Sequence, residues 1–131
     1  MQRARAWDQE QKHFVYGEFE GFAVFTFFML PSAGNRGFDA AVSRGCPVDF
    51  MAGTDRNGAE IFERDVITAA GMGPFEVTWR WQTFVGVDAE ARTFPVSAFA
   101  PTAYERIGDV WTEPGRRILV DNGIGSIPRR K

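Results

Sequence analysis

Apolar and polar positions alternate over short stretches along most of this chain, with the period of two that belongs to half-buried β-strands. The clearest case is FEVTWRW at 75–81. There Phe75, Val77, Trp79 and Trp81 share one face, and Glu76, Thr78 and Arg80 share the other. The pattern predicts a core face carrying both tryptophans and a solvent face carrying Arg80. RARAWD and HFVYGEF read as two further strands, joined by polar residues 9–12 in a loose hairpin. From Pro47 onward the same grammar recurs in VDFMAGT, AEIF, DVITAA, TFVGV, TFPVSAF and YERIGDVW. Turn signals separate these segments: Asn57-Gly58, Gly71 with Gly73-Pro74, residues 88–91 and Ala100-Pro101. Asn57-Gly58 suits a turn whose central residues take positive φ. Glu63-Arg64-Asp65 marks a second reversal before Val66 and Ile67 return to the core. Short strands at this spacing predict a small sandwich or barrel.

Four stretches depart from the alternation. In GFAVFTFFML both interleaved sets are apolar: Phe22, Val24, Thr26 and Phe28 against Ala23, Phe25, Phe27 and Met29. Such a strand is covered on both faces, or gives one face to the core and the other to a partner chain. A helix is the alternative for so short a run, and the Phe, Val and Thr content favours the strand. Residues 22–30 fall far below the roughly 20 needed to cross a bilayer as a helix. Phe25 and Phe27 are the candidate interface residues of this run. PSAGNRG is a loop on composition, and FDAAVSRG predicts about two turns of helix with Gly45 as the C-cap. NGIGSIPRRK has no periodicity and predicts a mobile end. Within it, Arg129, Arg130 and Lys131 are the candidates for nucleic-acid contact. The expected division is an N-terminal hairpin, apolar strand and loop or short helix over 1–45, a barrel over 46–120, and a basic tail over 121–131.

Composition narrows the function more than the fold. The 131 residues include 44% hydrophobic and 15% aromatic positions, with 13 Phe and 4 Trp, enough to build a core. Fifteen Lys and Arg face 17 Asp and Glu, a net charge of -2, which does not suit a general phosphate-backbone binder. The N-terminus lacks the apolar core of a signal peptide, and a soluble protein in the cytoplasm is the expectation. Cys46 is the only cysteine and His13 the only histidine, so no internal disulfide forms and no His-rich metal site is available. A small buried thiol and a surface histidine are favoured over a Cys46–His13 nucleophilic pair. Asp55, Asn57, Glu60, Glu63 and Asp65 suggest a calcium loop, but Gly58 falls at position 4 where such a loop needs glycine at 6. Gly71-Met72-Gly73 leads into Pro74 and a strand, so it turns the chain and cradles no phosphate. No cofactor, metal or catalytic residue is singled out. Trp79, Trp81 and Phe84 cluster around one strand and are the best argument for a ligand surface, although their shared face favours the core.

Three blocks carry a family resemblance: RAWD at 5–8, GTDRNGAEIFERDVI at 53–67, and YERIGDVWTEP at 104–114. In this order they resemble the YopX family of small phage and prophage proteins, whose pattern runs R-A-W-D, then T-G-x-x-D-x-N-G-x-x-I-Y-E-G-D-I-V, then I-G-N-I-Y-E-N-P. Here Phe62 stands for the tyrosine and Arg64 for the glycine of the second block, Asp109 for the asparagine of the third, and Thr112-Glu113-Pro114 for its ending. Residues 18–48 lie outside the resemblance. It implies a phage or prophage origin in a bacterial host and an SH3-like β-barrel in the C-terminal part; the strand patterns themselves predict a mainly β protein with at most one short helix. It supplies no catalytic residues. The expected function is a non-catalytic protein-interaction module, acting as a homo-oligomer or on a host or phage protein. A nucleic-acid-binding barrel and an enzyme with a dispersed carboxylate site are the alternatives.

Overall fold

A computed structural model describes residues 2–23, 26–29, 36–80, 82–98, 103–121 and 126–128. The chain is mainly β, with antiparallel sheets and one α-helix among the described residues, and divides into two compact units, Met1–Met51 and Ala52–Lys131. Phe25 and residues 129–131 lie outside the described residues, as does the side chain of Phe27.

The first unit is built on the predicted hairpin. Strand β1 (Gln2–Asp8) pairs with β2 (His13–Ala23) from Gln2 opposite Phe19 to Asp8 opposite His13. Strand β3 (Thr26–Met29) lies on the outer side of β2, and β4 (Val48–Thr54) lies beside β1. Within the apolar run at 22–30 the described residues, 22–23 and 26–29, are β, but they belong to two strands. Residues 22 and 23 end β2, and Ala23 pairs with Thr26 at the start of β3. Because β2 reaches back 11 residues to His13, residues 26–29 pair antiparallel with it instead of extending it.

Helix α1 (Arg36–Ser43) packs on this sheet through Phe38 and Ala41, one turn apart. Its seat consists of small residues: Ala4 and Ala6 on β1, with Gly17 opposite Ala4 on β2. A Cβ on Gly17 would stand 2.3 Å from the Phe38 ring, so only glycine admits the helix this close. The predicted cap is present. Gly45 has φ +85°, the Cys46 N–H donates to Ala41 O (3.1 Å), and the Gly45 N–H donates to Val42 O (3.0 Å). These two bonds form a Schellman motif that satisfies the last carbonyls of the helix. Eight residues make a marginal helix alone, so the packed face and this cap hold it.

Strand β4 runs on into the second unit, where β5 (Glu60–Phe62) follows it through the turn at 55–59. Then come β6 (Asp65–Ala69), β7 (Met72–Arg80), β8 (Thr83–Val87), β9 (Thr93–Pro95), a 3-10 turn at Val96–Ala98, and β10 (Tyr104–Asp109). Their hydrogen-bonded order is β10-β6-β7-β8-β9, a meander of four strands whose fifth returns to pair with the first. Ile61, Ile67, Ala69, Phe75, Val77, Val96 and Tyr104 form its core. A final pair, β11 (Leu119–Asp121) and β12 (Ser126–Pro128), ends the described chain.

The turns carry the local strain. Among the described residues five non-glycines take positive φ: Lys12, Arg64, Ala70, Gln82 and Ala91, all at or beside strand reversals. The Asn57-Gly58 turn is present, but only Gly58 has positive φ (+79°). The Gly58 N–H bonds to Asp55 O and the Asp55 N–H to Ala59 O. This is a longer hairpin loop with one left-handed residue, and Asn57 is spared the strain that a two-residue turn would impose on it. The reversal at Glu63-Arg64 is also present, with Arg64 at φ +65°.

Candidate functional site

Strand β7 shows where the alternation rule holds and where it stops. Phe75 and Val77 are buried at 2% and 0% exposure, yet Trp79 on the same face is 46% exposed. Trp79 is therefore not a core residue, contrary to the expectation from its face. Register explains the difference. Strand β6 begins at Asp65 and its pairing with β7 reaches Val66 opposite Glu76, while β9 ends at Pro95 opposite Val85. Past that level, among the described strands, β7 pairs with β8, with Trp79 opposite Phe84 and Arg80 opposite Thr83. The strands continue as a two-stranded ribbon that outruns the core. Trp79 stacks edge-on against Phe84, ring centroids 4.7 Å apart, and Phe84 packs on the core. The opposite face departs as well. Glu76, predicted to face solvent, is 1% exposed and accepts the Ile118 N–H at 2.7 Å, because the segment before β11 covers it.

The other buried carboxylates are committed to turns and ion pairs. Asp55 accepts the N–H groups of Asn57 and Ala59 on Oδ1 and that of Arg106 on Oδ2, so it closes its own loop and ties it to β10. Burial pushes the Asp55 carboxyl up, and these three donors outweigh it and hold the group below the ordinary carboxylate value. Asp88 repeats the device on Glu90 and Arg92, with the Arg92 guanidinium 2.8 Å away. Burial again opposes, and the Arg92 and Glu90 donors again hold its carboxyl low. Asp8 accepts from Glu10 and Gln11, and the Gln11 N–H is the largest influence lowering it. Asp109 accepts from Trp111 and Thr112, and takes the Arg106 guanidinium at 2.9 Å. Asp65 accepts the Phe62 N–H and meets Arg106 at 3.2 Å.

Many of these contacts fall in the segments 5–8, 53–67 and 104–114. In the first, Arg5 is buried against Asp49 at 3.1 Å and lies over the Phe14 ring, Trp7 donates to Gln9, and Asp8 shapes the turn. In the second, Asp55 and Asp65 hold successive reversals. In the third, Arg106 joins Asp65 to Asp109. Arg64 holds backbone bonds to Val77 and Val110, with its guanidinium 5.5 Å from the Trp111 ring centre.

Cys46 is a partly buried residue packed on the first unit's core, and His13 is exposed at the start of β2. Arg80 is half-buried. Trp81, Arg129, Arg130, Lys131 and Phe25 lie outside the described residues. No group of three His, Cys, Asp or Glu able to hold a metal ion occurs among the described residues, and no described helix is long and apolar enough to cross a membrane. The exposed aromatic end of the β7–β8 ribbon, Trp79 against Phe84, is the candidate site. It offers an apolar stacking surface rather than an acid, a base or a nucleophile. Its exposure was not legible in the alternation, although the nearness of Trp79 to the reversal after Arg80 was a usable signal. No protein-family model matches this sequence, and no curated protein matches it.

Proposed function

We propose that this chain is a non-catalytic protein-interaction module whose second unit is an SH3-like barrel. Support for the barrel comes from strand order: a four-strand meander, a 3-10 turn, and a fifth strand paired antiparallel to the first. A phage or prophage accessory role in a bacterial cytoplasm rests on the three sequence blocks alone. The observation that carries the interaction reading is Trp79, nearly half exposed and held by Phe84 on the β7–β8 ribbon. A large aromatic presented this way provides contact area at low entropic cost, and tryptophan is enriched among residues that dominate binding. The acidic balance of the chain favours a protein over a phosphate backbone as the partner.

The test uses Trp79→Ala. Most of the indole is outside the core, so thermal stability should fall by less than about 1.5 kcal/mol, well short of the roughly 3–5 kcal/mol of a buried tryptophan. A protein partner recovered with the parent chain, and rebound in purified form, should lose at least roughly tenfold in affinity, about 1.4 kcal/mol, against the variant. Binding unchanged in Trp79→Ala, or binding to oligonucleotides that falls steeply with added salt, overturns the proposal.

A further inference from the structure

The loop at 55–59 lies against β10, the end strand of its sheet. The Arg56 N–H donates to Tyr104 O (3.1 Å) and the Arg106 N–H to Asp55 Oδ2 (2.9 Å). A loop laid along an end strand is one of the usual protections of a sheet edge against pairing with another chain. Asn57 and Gly58 at its tip are both exposed, and a Cβ added at Gly58 would meet nothing within 4 Å. Asparagine followed by glycine is a chemically reactive pair. Glycine has no Cβ to shield its backbone nitrogen, so that nitrogen can reach the carbonyl carbon of the preceding carboxamide.

Hydrogen bonds restrain the pair unequally. The Asn57 and Ala59 N–H groups donate to Asp55 Oδ1 at 2.8 and 2.9 Å, and the Gly58 N–H donates to Asp55 O at 3.0 Å. The Asn57 carboxamide itself is held only by a long contact, Nδ2 to Glu105 Oε2 at 3.5 Å, on an oxygen that also meets Arg56 at 2.9 Å. The carboxamide is therefore loosely kept, while the Gly58 nitrogen comes free only when the Asp55 turn opens.

We propose that Asn57 is a site of spontaneous deamidation gated by the Asp55 turn, and that its conversion loosens the loop from β10. With the turn open, the Gly58 nitrogen gives its proton to hydroxide and attacks Asn57 Cγ. The N–Cγ bond forms, the Cγ–Nδ2 bond breaks, and Nδ2 leaves as ammonia after taking a proton from water. Water then opens the resulting succinimide. Attack at Cγ gives aspartate on the original backbone, and attack at the main-chain carbonyl carbon gives isoaspartate, whose backbone runs through Cγ. The net change is asparagine plus water to a carboxylate plus ammonium. Aspartate sets a carboxylate against Glu105 where the amide had donated, so attraction becomes repulsion. Isoaspartate also lengthens the backbone, which carries the Gly58 N–H away from Asp55 O. The site is separate from Trp79 and stands whether or not the interaction reading does.

The experiment follows residue 57 by peptide mapping and mass spectrometry in mildly alkaline buffer, with electron-transfer fragmentation to separate isoaspartate from aspartate. Asn122-Gly123, the chain's other Asn-Gly pair, lies outside the described residues and is scored separately in the same map. The folded parent should convert at Asn57, at least roughly tenfold more slowly than the same chain unfolded in urea, because opening the turn breaks bonds to a charged carboxylate. Asp55→Asn, which keeps the shape and gives up the charge, should fall between the two. In the converted parent, amide exchange at Arg106 should be faster than before conversion. A folded parent that stays unconverted while the unfolded chain reacts, or that reacts as fast as the unfolded chain, overturns the proposal. Both of those rates come from the parent, so they decide the matter even if Asp55→Asn does not fold. A folded Asp55→Asn that reacts at the parent's rate removes the gate, and conversion that leaves Arg106 exchange unchanged removes the loosening; either result overturns the proposal as stated.

Discussion

Two loops of the second unit permit a comparison at single residues. Residues 55–59 and 88–92 share one design. An aspartate donates its N–H to the carbonyl four positions on and accepts the N–H three positions on with its own carbonyl, its carboxylate takes the N–H groups two and four positions on, and the fourth residue of the loop has positive φ. That fourth residue is Gly58 in the first loop and Ala91 in the second. A left-handed non-glycine costs about 1 kcal/mol, so Ala91→Gly should raise stability by about that amount in urea unfolding. Gly58→Ala should lose a similar amount from strain alone, since an added Cβ would meet nothing within 4 Å. Arg64→Gly should gain less than Ala91→Gly, because relief at φ +65° is offset by loss of the stack on Trp111. The Asn57-Gly58 signal was legible because that dipeptide is a known turn former. The second loop was legible only as a polar break, since alanine does not announce a left-handed backbone.

At the scale of elements, packing decides how close two pieces can come. Helix α1 rests on Ala4, Ala6 and Gly17, with the Phe38 ring directly over the glycine. Gly17→Ala should therefore cost about 1–3 kcal/mol despite alanine's better backbone propensity, since the whole helix must lift. Loss of thermal stability measures it, and a Gly17→Ala protein as stable as the parent would mean that the seat has slack. The helix was readable from the segment FDAAVSRG, and its end from Gly45 as a C-cap. The helix's partner surface was not readable, because small residues on two strands become a groove only after those strands pair.

Over the whole molecule, the aspartate turns set the response to acid. Asp8 in the first unit and Asp55 and Asp88 in the second all have carboxyls held below their ordinary value in the fold. A carboxyl lowered on folding contributes stability above its unfolded pKa of about 3.9 and loses it as pH falls through the lower folded value. Melting temperature should thus vary little for this reason between neutral pH and about 5, then drop below about 4. Asp55→Asn should flatten that drop, as followed by circular dichroism. Sequence alone determined the mainly β class, the hairpin at the start, the short helix and most reversals, because period-two patterning, glycine and aspartate act over a few neighbouring residues. Only the tertiary structure decided that the apolar run at 22–30 divides between two strands, that Glu76 is buried and that Trp79 is exposed. Those outcomes depend on where neighbouring strands end and which segment covers a face, and both are set by pairings between residues far apart in the chain.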